Sequence, residues 1–245
     1  MLIKKLLLYL LLFTVYFISA CQKQNIVGSN DYKSLGTSAH NLLVNSPYSL
    51  LQIEINYMPG YAPDTATINN LTVFLKGLIN KSVGIQVVTH QIAASQKMVL
   101  TLSDIVAIEK KNRTIFSGND VIAVHILIAD ADFSDGNVLG KSYWNTSTCL
   151  FGKTIEKNSG GFGQVSKIKL YTTIAEHEFG HLLGLVNQGS PMQQAHQDIT
   201  NGAHCNNKNC LMFYNIETTA PTLFLNTIPV LDANCLADLK ANGGR

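Results

Sequence analysis

The sequence predicts an α+β fold of two lobes, a mixed sheet with helices followed by a smaller irregular lobe that ends in a helix. Three observations predict it. Up to residue 129, segments of β-forming residues alternate with segments of helical period. The pattern H-E-x-x-H-x-x-G stands at His177 to Gly184, in a setting that reads as helix. A loop-rich tail follows, and helical pattern returns only at Asp232.

The N-terminus reads as targeting sequence rather than fold. Lys4 and Lys5 precede an apolar run, Leu6 to Ile18, too short for a comfortable membrane span. Ile18-Ser19-Ala20-Cys21 resembles a bacterial lipobox, which implies a signal peptide over 1–20 and lipidation of the Cys21 thiol. The alternative is an ordinary signal peptide with an incidental cysteine. Residues 21–46 are polar and poor in pattern, as a tether would be. The folded domain is then 47–245, divided into an upper lobe, 47–184, and a lower lobe, 185–245. Removing 1–20 takes away two lysines and no acids, so 18 basic against 16 acidic residues becomes 16 against 16. A charge near zero gives no electrostatic case for nucleic acid.

Each element has its own reason. Tyr48 to Tyr57 alternates and is rich in β-formers, and Pro59, Gly60 and Pro63 end it. Asp64 to Asn80 places Ile68, Leu71, Leu75 and Leu78 on one helical face. Val83 to Ile92 is a second strand. Thr101 to Lys111 opens with T-L-S-D and carries Leu102, Ile105, Val106 and Ile108, a short helix. Asp120 to Ala129 is almost continuously apolar, a buried central strand in which His125 reads as a core residue. Asp130, Asp132 and Asp135 fall in an acidic turn; calcium binding is the less favoured reading there. Ser142 to Ile155 holds an edge strand, Lys157 to Gly163 a flexible loop, and Lys167 to Tyr171 a short strand. Thr173 and Glu176 form a T-x-x-E box that starts the motif helix, and Gly184 ends it. Asp232 caps a C-terminal helix to Ala241, with Gly243 past its end.

On a helix, His177 and His181 leave one face about one turn apart, the separation two nitrogen ligands need on one Zn²⁺. Glu178 is placed to take a proton from a water without binding the metal. The alternative is a buried helix whose histidines are merely hydrogen-bonded. A catalytic zinc usually has three protein ligands. In the compact pattern the third histidine stands three residues after the glycine, and here that residue is Asn187. His204, His196 and Asp198 are the candidates that remain.

His204-Cys205-(four residues)-Cys210-Leu211-Met212 resembles the H-C-x4-C-x-M segment of archaemetzincins. The chain looks like such a metzincin with an extra loop, Val186 to Asn201, at a place where leishmanolysins also carry an insertion. It also resembles secreted zinc-protease lipoproteins of Bacteroidetes. The likeness is specific from Thr173 to Tyr214, and from about Tyr48 it rests on element order alone. It implies a metzincin-like fold with Zn²⁺ as cofactor, His204 as third ligand and Met212 as the turn beneath the metal. Astacins and serralysins carry a tyrosine two residues after that methionine, which implies for Tyr214 a role in stabilising the oxyanion. The archaemetzincin pattern continues with a C-x-x-C that completes a second, four-cysteine zinc site, whereas here only Cys235 follows. Of the five cysteines, four lie beyond Cys21. In an exported chain an even count favours disulfides, so Cys205 with Cys210, and Cys149 with Cys235 by elimination, are the expected pairs among the three possible pairings.

These readings lead to an exported zinc metalloendopeptidase, with His177, His181 and His204 as ligands and Glu178 as general base and then acid. An extended substrate would pair with the edge strand near Tyr143 to Phe151. The expected partners are a protein or peptide substrate and, through the lipid, a membrane; the expected state is a monomer in the periplasm or on the outer-membrane surface. The alternative from another class is a non-catalytic surface lipoprotein, an adhesion or binding module with a structural zinc.

Overall fold

The computed structural model describes residues 30–136, 138–217 and 227–245; residues 1–20, expected above to be a signal peptide, and Cys21 lie outside the described residues. Among those residues a five-stranded mixed sheet has the order β2 (Gly84–Gln91), β1 (Leu50–Tyr57), β4 (Val121–Ala129), β7 (Ser147–Phe151) and β6 (Gly140–Trp144). The first four run parallel, and β6 runs antiparallel to β7 at the open edge. Short strands β3 (Val99–Leu100) and β5 (Asp132–Phe133) pair separately. The helices are α1 (Ala39–Leu43), α2 (Thr65–Leu78), α3 (Leu102–Asn112), α4 (Gly152–Lys157), α5 (Lys167–Leu182) and α6 (Ala233–Ala241), with a 3-10 turn at Tyr214–Glu217.

Alternation along the strands builds two layers. Leu51, Ile53 and Ile55 of β1 and Ile122, Val124, Ile126 and Ile128 of β4 face α2 and α5. The opposite face buries Leu127 and Ala129 against Ile105 of α3. It also buries charge. Arg113 bonds Glu109 at 2.8 Å and pairs with Asp31 at 3.3 Å, and Glu54 accepts the backbone N–H groups of Thr114 and Ile115. His125 lies in this layer, with its Nε2 3.0 Å from Asn56 Nδ2. Burial, and then the Arg113 charge, push its pKa well below the usual range, so the imidazole is neutral. The acidic turn is occupied as well: Asp130 accepts Ser95 N–H, and Asp132 binds Thr154 and Lys153.

Three sequence expectations are corrected. The polar segment read as tether is part of the domain from residue 30 onward, because Ala39, Leu42 and Leu43 are buried and Asp31 joins the Arg113 network. Lys167–Tyr171 is helix, not strand. Ser166 caps α5 by accepting Lys169 N–H, so Thr173 and Glu176 are buried inside that helix rather than at its start. The stretch read as one edge strand is two. Only β6 is the edge, while β7 is covered by β4 and β6, and residues 152–157 turn into α4.

Candidate metal centre

Helix α5 carries the site because a glycine and a methionine let it approach its neighbours. At Gly180, inside the motif, a Cβ would stand 2.3 Å from Met212 Sδ. At Gly140 on β6 it would stand 2.7 Å from Glu178 Oε1 and from Ile174 Cγ2. The helix is therefore pressed between the edge strand and the methionine turn. After Leu183, Gly184 takes φ +84°, and a Cβ there would stand 2.5 Å from Ser190 N. Glycine ends the helix and admits the following loop.

His177, His181 and His204 converge, each offering a nitrogen within 4.8 Å of the others. Each Nδ1 lies against a backbone carbonyl: His177 on Leu211 at 2.7 Å, His181 on Leu185 at 3.3 Å and His204 on Asn201 at 2.7 Å. Those carbonyls place the proton on Nδ1, so Nε2 is the nitrogen each ring offers a metal. The Nε2 atoms of His177 and His181 are 3.2 Å apart. Two nitrogens about 2.05 Å from a tetrahedral zinc would be about 3.3 Å apart, so the spacing fits that ion. All three rings and Glu178 are buried. Ser142 on β6 donates its hydroxyl to Glu178 Oε2 at 2.7 Å.

The other candidates go elsewhere. Asp198 is spent on the turn before His204, accepting Asn201 Nδ2 at 2.6 Å, and that amide holds its carboxyl below the usual range. His196 joins a second cluster with Cys205, Asp232 and Cys235. Its Nδ1 is 3.4 Å from Cys205 Sγ and 3.9 Å from Cys235 Sγ, and its Nε2 is held by Asp238 at 2.8 Å. Cys210 Sγ is 3.6 Å from Cys235 Sγ. Backbone N–H groups of Asn207 and Met212 point at Cys205 and Cys210. Hydrogen bonds from Cys205 and Cys235 hold the Cys210 thiol well below its ordinary pKa. The expected disulfides are not formed; the four cysteines are buried free thiols. Cys149 lies in β7 within the opposite layer, away from Cys235.

Met212 is buried against Gly180. Tyr214 begins the 3-10 turn and packs against Phe213 with the rings tilted by 60° and their centroids 4.8 Å apart. Sequence reasoning missed Ser142, whose role needs the fold of β6. It also missed Gly180, although a glycine inside a helical pattern is a signal of close approach.

No family model and no curated protein matches this chain. Solved structures do. An archaemetzincin from Methanopyrus kandleri superposes with a TM-score of 0.50 at 14% identity, over 79% of this chain and 96% of that one. The chain shares the archaemetzincin fold. Metalloproteinase-II from Bacteroides fragilis gives a TM-score of 0.46 at 17% identity, over 82% of this chain and 55% of that one.

Proposed function

We propose that this chain is an exported zinc metallopeptidase, held at a membrane by a lipid on Cys21. The observation that carries the reading is the histidine triad: three buried imidazoles turned by backbone carbonyls so that their Nε2 atoms meet, with Glu178 beside them. His177, His181 and His204 would hold zinc, which supplies Lewis acidity toward a carbonyl and acidifies water. Glu178 takes the proton of the attacking water and returns it to the leaving amine. The Ser142 hydroxyl fixes the carboxylate that does so. Tyr214 is the proposed donor to the oxyanion as the carbonyl becomes tetrahedral. The open edge of β6 pairs with an extended substrate.

In the second cluster the Asp232 carboxylate is committed to capping α6 and to Asn207, and Cys205, Cys235 and His196 Nδ1, joined by Cys210 beside Cys235, fit a structural zinc. Sulphur ligands at about 2.3 Å from a tetrahedral ion lie roughly 3.8 Å apart, near the Cys210–Cys235 separation. The backbone N–H groups aimed at two of the sulphurs, and Asp238 behind His196, are the supporting bonds such ligands use. Cys205 directly follows His204, so this cluster braces the third ligand of the first.

The test is hydrolysis of a proteome-derived peptide mixture by the purified mature protein. Activity lost on chelation, restored by zinc and absent in Glu178→Ala supports the reading. Zinc-loaded protein that cuts nothing, or Glu178→Ala that cuts normally, overturns it.

A further inference from the structure

The segment before α1 is built into the cleft. Asp31 is anchored in the buried Arg113 network, and Tyr32 packs edge-on against Trp144 at the end of β6. The next residue ties the segment to the sheet edge. Asn145 donates its backbone N–H to Lys33 O at 3.0 Å, and Lys33 N–H returns to Asn145 Oδ1 at 2.8 Å. Three residues on, the segment reaches the other side. Gly36 and Gly189 meet backbone to backbone: a Cβ on Gly36 would stand 1.3 Å from Gln188 O, and one on Gly189 would stand 2.3 Å from Gly36 O. Residues 33–36 therefore form a strap from the end of the edge strand to the loop after the metal helix. Between those two attachments Leu35 lines the same cavity of about 280 Å³ as Ser142, Glu178, His181 and His204.

The catalytic position along β6 is marked by Ser142, which bonds Glu178. A strand added antiparallel to β6 makes the same kind of pairing that β6 makes with β7 on its other edge, and the more stable kind per residue. In that pairing the residues ahead of the scissile bond run toward Trp144, and so toward the strap. From Ser142 to Asn145 is three residues, or about 10 Å at ~3.3 Å per residue. Beyond that the backbone donor of Asn145 is already used by Lys33.

We propose that this strap closes the cleft on the amino-terminal side of the substrate, so the enzyme cuts peptides close to their amino terminus, with no more than about three residues ahead of the bond. The inference rests on the peptidase reading and narrows it from general endoproteolysis to amino-terminal trimming.

The experiment uses the mature, zinc-loaded chain and one cleaved peptide, resynthesised with one to six residues added at either end. Cleavage sites are read by mass spectrometry. The fourth residue ahead of the bond should lower kcat/KM by about tenfold or more, while carboxy-terminal additions leave it unchanged. Leu35→Trp, which fills the strap end of the cavity, should shorten the tolerated amino-terminal side without changing zinc content. Equal cleavage whatever the amino-terminal length, or a limit that falls on the carboxy-terminal side, overturns the proposal. If the zinc-loaded chain cleaves no peptide of the starting mixture, so that no such peptide is found, the peptidase reading beneath the proposal is overturned instead.

Discussion

Gly180→Ala should destabilise the protein although it sits in a helix, where alanine is the better residue. In an unencumbered helix interior the change gains about 1 kcal/mol. Here the new Cβ would stand 2.3 Å from Met212 Sδ and 3.1 Å from Met212 Cε. Met212 is fully buried, so its thioether has no solvent to move into. Overpacking a core costs about 1–3 kcal/mol, and a contact more than an ångström too short lies at the upper end. The net loss is about 2 kcal/mol, or roughly 4–8 °C in Tm for a chain of this size. The metal should feel it too. Displacing Met212 drags on Leu211, whose carbonyl holds His177 Nδ1 at 2.7 Å. Loss of such a supporting bond costs about 10–100-fold in metal affinity. Gly77→Ala in α2 is the control, since a Cβ there meets nothing within 4 Å. It should stabilise by about 0.5–1 kcal/mol. Thermal unfolding followed by circular dichroism, with zinc competition against a chromophoric chelator, reads both variants. If Gly180→Ala proves as stable as wild type and binds zinc as tightly, Met212 does not pack under the helix as described.

Four further outcomes follow from the site. Glu178→Ala should lower kcat by about 10²–10⁴-fold with zinc retained, and metal loss from this variant would remove its role as base. Metal analysis should find two zinc ions per chain. His204→Ala should lose the catalytic one, and His196→Ala the other, with Cys205, Cys210 and Cys235 becoming reactive to a thiol reagent; a single zinc in the wild type would reject the second site. Ser142→Ala should reduce kcat by about tenfold with KM little changed, since it removes a bond to a charged group worth about 1.5–3 kcal/mol, and Ser142→Thr should restore part of the loss. Tyr214→Phe should lower kcat by roughly 10–1000-fold without loss of zinc; unaltered turnover would make the tyrosine a packing residue.

Local signals in the sequence marked out much of this protein. Strands β1, β2 and β4 and helices α2, α3 and α6 follow from the period of their apolar residues and from caps such as Asp64, Thr101 and Asp232, which act within a few residues. The spacing of His177, Glu178 and His181 is a helix property, so it too could be read in one dimension. The start of α5 is hidden for a local reason: Thr173 and Glu176 imitate a cap, but Ser166, seven residues upstream of Thr173, caps first and the apolar stripe continues through Leu170.

Only the tertiary structure decided which distant groups share a site. His196, His204 and Asp198 lie within nine residues, and nothing in their spacing says that one faces the triad, one the thiols and one its own turn. An even count favours disulfides, whereas Cys205 and Cys235 meet His196, and Cys210 meets Cys235, because the inserted loop folds back over α6, and Cys149 stays in the sheet. The segment before α1 reads as polar filler, because its anchors are one buried aspartate, a backbone exchange with Asn145 and two glycines in contact. Periodicity records how a segment meets its own neighbours; contacts made across more than a hundred residues leave no period.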